Sequence, residues 1–107
     1  EVERVYVIVD RNRIQNDRFV DEQMRLGDLA EKWRSFGWRV LEIDGHDHSA
    51  IHDAYREMVA DPSPAVLIAR TIKGKGVSFM ENDNFWHGGI MKKEHYEIAV
   101  SELNGKI

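Results

Sequence analysis

Three short apolar runs, Val5 to Val9, Val40 to Ile43 and Ala65 to Ala69, are spaced so that a helix-length segment falls between each pair. That alternation limits the possible folds more than any single motif. The first run is unbroken, β-branched and aromatic, and the third is unbroken and apolar, the composition of strands buried on both faces of a parallel sheet. Between the first two, Leu26, Leu29, Ala30, Trp33 and Phe36 fall on one helical face, and Gly37 supplies the left-handed residue that ends a helix. Between the second and third, Ile51, Ala54, Tyr55, Met58 and Val59 mark another helix, with Asp47 or Ser49 as N-cap and Pro62 and Pro64 blocking its continuation. Helical crossovers between strands require parallel pairing and right-handed connections. The pattern therefore predicts an α/β fold, a three-stranded parallel βαβαβ portion followed by a C-terminal helical tail from about Lys92 to Leu103. Arg11 to Asp21 reads as a loop, and Lys73-Gly74-Lys75-Gly76 is followed by a stretch to Gly89 that reads as irregular.

A chain of 107 residues makes one domain at most, and at 42% hydrophobic it can build an ordinary core. The absence of cysteine excludes structural disulfides, thiolate zinc sites and cysteine nucleophiles together. With 15 basic against 19 acidic residues, a net charge of −4, the sequence lacks the basic face that nucleic acid requires. The aliphatic run at Val5 to Val9 is far short of the ~20 residues of a membrane-spanning helix, and no signal peptide is visible. A cytoplasmic location without membrane partners is the expectation. Only Glu1 to Arg4 precede the first strand, and the first residue is not Met, which reads as a cut end.

In an open parallel sheet, ligands bind beyond the carboxyl ends of the strands. The loops there are Asp10 to Asp17, Asp44 to His48 and Arg70 to Gly76. In the first, the Asn12 side-chain oxygen and a loop carbonyl two residues later suit a hard cation such as Mg²⁺, while Asx-turns would use the same residues for loop closure. In the third, Lys73-Gly74-Lys75-Gly76 can offer backbone N–H groups and a point charge to phosphate, although it lacks the Walker spacing and such turns often carry nothing. His48 and His52 have the spacing of metal ligands on a helix, without a cysteine or a His-Glu-x-x-His pattern to support zinc; loop-fixing or helix-terminus roles for His46 and His48 are the alternative. His87, between Trp86 and Gly88, suits a loop laid over a site, or equally an exposed His beside a packed aromatic. Phe79, Phe85, Trp86 and Tyr96 read as core or interface residues rather than a cofactor stack.

Taken in order, Val7-Ile8-Val9-Asp10-Arg11-Asn12-Arg13-Ile14-Gln15, Gly27-Asp28-Leu29, Trp33 to Trp38, Asp44-Gly45-His46-Asp47, Arg70 to Gly76 and Trp86-His87-Gly88 resemble transketolase, specifically its thiamine-diphosphate-binding domain and the separately encoded N-terminal subunit of split transketolases. The resemblance implies a cofactor pair, thiamine diphosphate and Mg²⁺. By that resemblance Asn12 coordinates the metal through its side chain and Ile14 through its backbone carbonyl, and Asn16 falls where the family contacts the bound cofactor. Lys73 and His87 match a lysine and a histidine that line the diphosphate and donor-substrate end of the site, His87 being the catalytic candidate. The activity implied is transfer of a two-carbon ketol unit from a ketose to an aldose, usually as sugar phosphates.

The family's Gly-Asp-Gly motif, its proton-handling histidines and the glutamate of its pyrimidine-binding domain do not occur in this sequence. Residues 1–107 are therefore expected to be a partial thiamine-diphosphate-binding domain, inactive alone. The partners expected are the remaining transketolase segments or a C-terminal, pyrimidine-binding subunit, in a homo- or hetero-oligomer. Two other readings stay open. One is a piece of another thiamine-diphosphate enzyme, such as a deoxyxylulose-phosphate synthase; the other is a non-catalytic α/β module that binds a partner or a phosphorylated ligand.

Overall fold

The computed structural model describes residues 3–15, 18–19 and 26–105, which fall into two compact units. The first holds the described residues up to Asn12 together with 26–71; the second holds those from Arg13 to Phe19 together with 72–105.

The first unit is built on three parallel strands, β1 (Tyr6–Arg11), β4 (Arg39–Asp44) and β5 (Ala65–Arg70), in the order β1-β5-β4. The last strand in sequence is therefore the central one. Its alternating side chains feed two cores, as a period of two demands. Val66 and Ile68 pack with Ala30 of helix α1 (Leu29–Ser35), joined by Val7, Val9, Trp33, Trp38 and Val40. Ala65 and Leu67 pack on the other face with Ala54 and Met58 of helix α2 (His48–Ala60), joined by Tyr6, Leu41 and Ile43. The predicted βαβαβ order holds.

Helix boundaries follow from capping. Asp28 accepts from the Glu31 N–H at 3.0 Å and starts α1; Gly37, at φ 81°, turns the chain out of it. Asp47, rather than Ser49, caps α2, accepting from both Ser49 N–H (2.9 Å) and Ala50 N–H (3.1 Å). At the opposite end of α2, Arg39 Nη2 donates to the carbonyls of Met58 (2.9 Å), Asp61 (3.1 Å) and Ser63 (3.3 Å). This guanidinium satisfies carbonyls that the helix end leaves without partners. The Ser63 N–H, donating at 2.8 Å, and the Ser63 side chain hold the Asp61 carboxyl below its ordinary range, with Arg39 adding a smaller pull.

Two expectations are corrected here. The first strand was expected to be buried on both faces, yet Ile8 is 66% exposed. Among the described strands β1 is an edge strand: Val7 and Val9 are covered on one face, whereas on the other α2 reaches Tyr6 and leaves Ile8 uncovered. The expected loop from Arg11 contains structure as well. Pairing of Asp10 with Ala69 and Arg11 with Arg70 extends β1, and Ile14–Gln15 (β2) pairs antiparallel with Arg18–Phe19 (β3).

The second unit contains that ribbon, a hydrogen-bonded turn region from Ile72 to Asp83, a 3₁₀ turn at Asn84–His87 and helix α3 (Lys93–Asn104). The 3₁₀ turn lies within the stretch expected to be irregular. Asp83 starts it by accepting from the Phe85 N–H at 2.9 Å. Ala99 is the buried residue of α3, which matches the weak apolar pattern of that segment.

Candidate functional site

Because the three strands of the first unit are parallel and in register, Arg11, Arg70 and Asp44 end together along one edge. The backbone is closed there by Gly45 N–H donating to Arg70 O (2.8 Å) and Thr71 N–H to Arg11 O (3.4 Å). The Thr71 hydroxyl donates to the Asp10 carboxylate, fixing the ends of β1 and β5 to each other. Nothing in the sequence spacing had marked this pair, because its members are 61 residues apart. Asp44 accepts from the His46 N–H at 2.9 Å, a loop-closing role for the Asp44-Gly45-His46-Asp47 stretch. Asn12 leaves β1 at this edge, placed by the last rungs of the β1–β5 ladder.

The other candidates belong to the second unit. Ile14 opens the β2–β3 ribbon, where it pairs with Phe19. Asn16 lies outside the described residues.

Lys73 begins a turn that is pinned from several sides. Its carbonyl accepts from the Asn82 N–H at 3.0 Å, the Lys75 N–H donates to Ile72 O at 3.2 Å, and the Val77 N–H donates to Gly74 O at 3.1 Å. Gly74 sits at φ 73° with the Met80 carbonyl filling the space that a Cβ would need. Glu81 Oε1 accepts from the Gly76 N–H at 3.0 Å and lies 3.8 Å from Lys75 Nζ. The two lysines of the motif are thereby distinguished. Lys75 is neutralised by Glu81, whereas the half-buried Lys73 side chain makes no ion pair or hydrogen bond among the described residues.

His87 ends the 3₁₀ turn, exposed, with Asn84, Phe85, Gly88 and Gly89 beside it around a shallow open depression. Its ring makes no hydrogen bond among the described residues. The neighbouring Trp86 is held firmly, its indole N–H donating to Phe79 O at 3.0 Å and its ring 5.2 Å from both Phe79 and His95. Phe79 and Trp86 are thus internal packing residues, as expected, while Phe85 and Tyr96 are exposed. His95, which no motif singled out, is committed to this cluster and to the start of α3, where its Nδ1 accepts from the Lys92 N–H at 3.4 Å.

Lys73 and His87 therefore share one unit and one continuous hydrogen-bonded segment, and Asn12 falls in the other unit. Among the described residues no group of three or more His, Cys, Asp or Glu side chains is arranged to hold a metal ion. His52, half of the His48/His52 spacing, has its Nδ1 3.3 Å from Asp53 Oδ1. The candidate metal donors are instead an amide oxygen, on Asn12, and a backbone carbonyl, on Ile14. Both are oxygen donors of the type a hard cation accepts. An ammonium without an acidic partner on a glycine turn likewise suits a diphosphate. Taken singly, these are the donor types that a diphosphate and a hard cation accept, and a thiamine cofactor would supply the group-transfer chemistry when bound.

Such a parallel sheet, with its polar strand ends and a pinned glycine-lysine turn, belongs to the class of α/β cofactor-binding domains. Residues 1–104 match the family described as transketolase, thiamine diphosphate binding domain, and the chain belongs to that family. Among its relatives, a subunit of the apulose-4-phosphate transketolase of Phocaeicola vulgatus is 38% identical over 108 residues, covering 100% of this chain and 38% of the relative. A 6-deoxy-6-sulfo-D-fructose transketolase subunit from a Clostridium species is 36% identical, over 95% of this chain and 38% of the relative. The crystal structure of transketolase from Campylobacter jejuni superimposes with a TM-score of 0.84 at 25% identity, covering 94% of this chain and 16% of that one. The chain thus spans well under half the length of these relatives. No helix among the described residues is long and apolar enough to cross a membrane.

Proposed function

We propose that this chain supplies the metal- and diphosphate-binding part of a transketolase, an enzyme moving a two-carbon ketol unit from a ketose to an aldose. The observation that carries the reading is the family match across residues 1–104, together with relatives named as transketolase subunits. Within it, residues 1–107 form part of the thiamine-diphosphate-binding domain. Asn12 and the Ile14 carbonyl hold Mg²⁺, and Asn16 contacts the cofactor. Lys73 offsets diphosphate charge, and His87 hydrogen-bonds the diphosphate or the donor ketose.

The Phocaeicola relative is named as one subunit of its enzyme, which supports a split transketolase in which a second, pyrimidine-binding chain completes each site. The isolated 107-residue chain is then inactive. The names of the two relatives pair the activity with a phosphorylated and a sulfonated sugar, which supports anionic sugars as the substrate class. The reading places the assembly in the cytoplasm, the default for an enzyme of anionic sugars.

The test uses the complete assembly containing this chain. Ketose donors should support turnover where pyruvate does not, and Asn12→Ala should raise the Mg²⁺ and thiamine diphosphate requirement sharply. Unchanged cofactor affinity in that variant counts against the metal assignment, and turnover with pyruvate but not ketoses as donor to an aldehyde acceptor favours a deoxyxylulose-phosphate synthase.

A further inference from the structure

We infer that Glu81 is a positioning residue for the diphosphate contact: by binding the Gly76 N–H and neutralising Lys75, it makes Lys73 alone of the two motif lysines the anion ligand. This rests on the reading of Lys73 given above and assigns a role to a residue outside the motif.

The turn at Lys73 to Gly76 carries two ammonium groups only two residues apart, and a flexible glycine-rich loop would let either reach an anion. The structure removes that freedom in three places. Asn82 N–H holds the Lys73 carbonyl, the Met80 carbonyl fills the space beside Gly74, and Glu81 Oε1 holds the Gly76 N–H. All three groups come from consecutive residues, Met80 to Asn82. That segment is itself held: the Glu81 N–H donates to Val77 O at 3.2 Å and the Met80 N–H donates to Val77 O at 2.9 Å. The same turn is tied to α3, since Glu102 accepts from Ser78 N–H at 2.6 Å and from the Ser78 hydroxyl. Among the described residues, Glu81 is the carboxylate placed on the lysine motif, and its ion pair falls on Lys75, at 3.8 Å. An acid beside Lys73 would compete with a diphosphate for its charge; an acid beside Lys75 does not.

The experiment measures thiamine diphosphate affinity by titration calorimetry in the complete assembly, with melting temperature recorded for every variant. Glu81→Ala should weaken binding about tenfold, the scale of one lost hydrogen bond to a charged group. Glu81→Gln keeps an acceptor for Gly76 N–H and should restore most of that loss. Lys75→Ala should leave affinity unchanged where Lys73→Ala weakens it. Combining Glu81→Ala with Lys73→Ala should cost no more than Lys73→Ala alone, because Glu81 acts through Lys73. Additive losses in the double variant, or a Lys75→Ala loss equal to that of Lys73→Ala, overturn the role of Glu81 while leaving the diphosphate reading intact. No loss in Lys73→Ala overturns both. Should Glu81→Ala fail to fold, Glu81→Gln decides the matter: it releases Lys75, so adding Lys75→Ala in that background should change affinity, and no change there overturns the role of Glu81.

Discussion

Gly74→Ala isolates the close approach that shapes the lysine turn. At φ 73° an L-residue is strained, by about 1–2 kcal/mol. Its Cβ would also collide with the Met80 carbonyl oxygen and lie 2.6 Å from the carbonyl carbon, so backbone must move. Forced overpacking of this kind adds about 1–3 kcal/mol, for a total on the order of 2–5 kcal/mol. Gly37 provides the control. It has φ 81° and nothing within 4 Å of the Cβ position, so Gly37→Ala should cost the conformational part alone, about 1–2 kcal/mol. Native-state hydrogen exchange reads both in the same chain. In Gly74→Ala the Asn82 amide, which donates to Lys73 O at 3.0 Å, should lose the larger protection; in Gly37→Ala the smaller loss should appear at the residue 37 N–H, which donates to Arg34 O at 2.9 Å. Equal losses at the two sites would refute the argument that Met80 packs on the turn.

His87→Ala in the complete assembly should lower turnover or raise the donor KM while leaving the melting temperature in place, since the ring is exposed; unaltered kinetics would remove it from the site. Met58 is only 1% exposed, so Met58→Ala should cost about 2–5 kcal/mol in a urea titration, and a change below ~1 kcal/mol would mean that α2 is not seated on the sheet as described. The Asp61 carboxyl is held below its ordinary 3.8 in the folded chain, so the ionised form contributes stability above that value and loses it as pH falls through the lower folded value. The melting-temperature advantage of the native chain over Asp61→Asn should therefore shrink on acidification below about pH 4, and a difference constant down to about pH 2 would contradict it.

The sheet and the two helices that cross between its strands were legible because each depends on local signals. Gly37, Asp47, Pro62 and Pro64 punctuate the helices, and the unbroken apolar run of Ala65, Val66, Leu67 and Ile68 needs no knowledge of neighbours to mark a strand. Strand order is different. The apolar run at Val5 to Val9 has the composition of a central strand, yet β1 is an edge among the described strands, and only its tertiary neighbours decide how much of it is covered. The β2–β3 ribbon escaped notice because two-residue strands carry no periodicity. In the site, Lys73 stands out by its motif, whereas Glu81 does not. Its significance is a matter of which N–H and which ammonium its carboxylate reaches, and composition does not record that.

The placement of β5 between β1 and β4 sets a timetable for synthesis. Tyr6 must wait for Ala65, 59 residues later, before the first rung of its ladder can form. At a ribosomal rate of ~5–20 residues per second that is about 3–12 s during which Val7, Ile8 and Val9 stand in the nascent chain without their β5 partner. Its helix partner α1 is made well before its strand partner. An apolar segment that waits seconds for a strand partner is a recognised substrate for chaperones and for aggregation. The charged stretch from Asp10 to Arg13 that follows it emerges next, and gives the growing chain a soluble flank until β5 arrives.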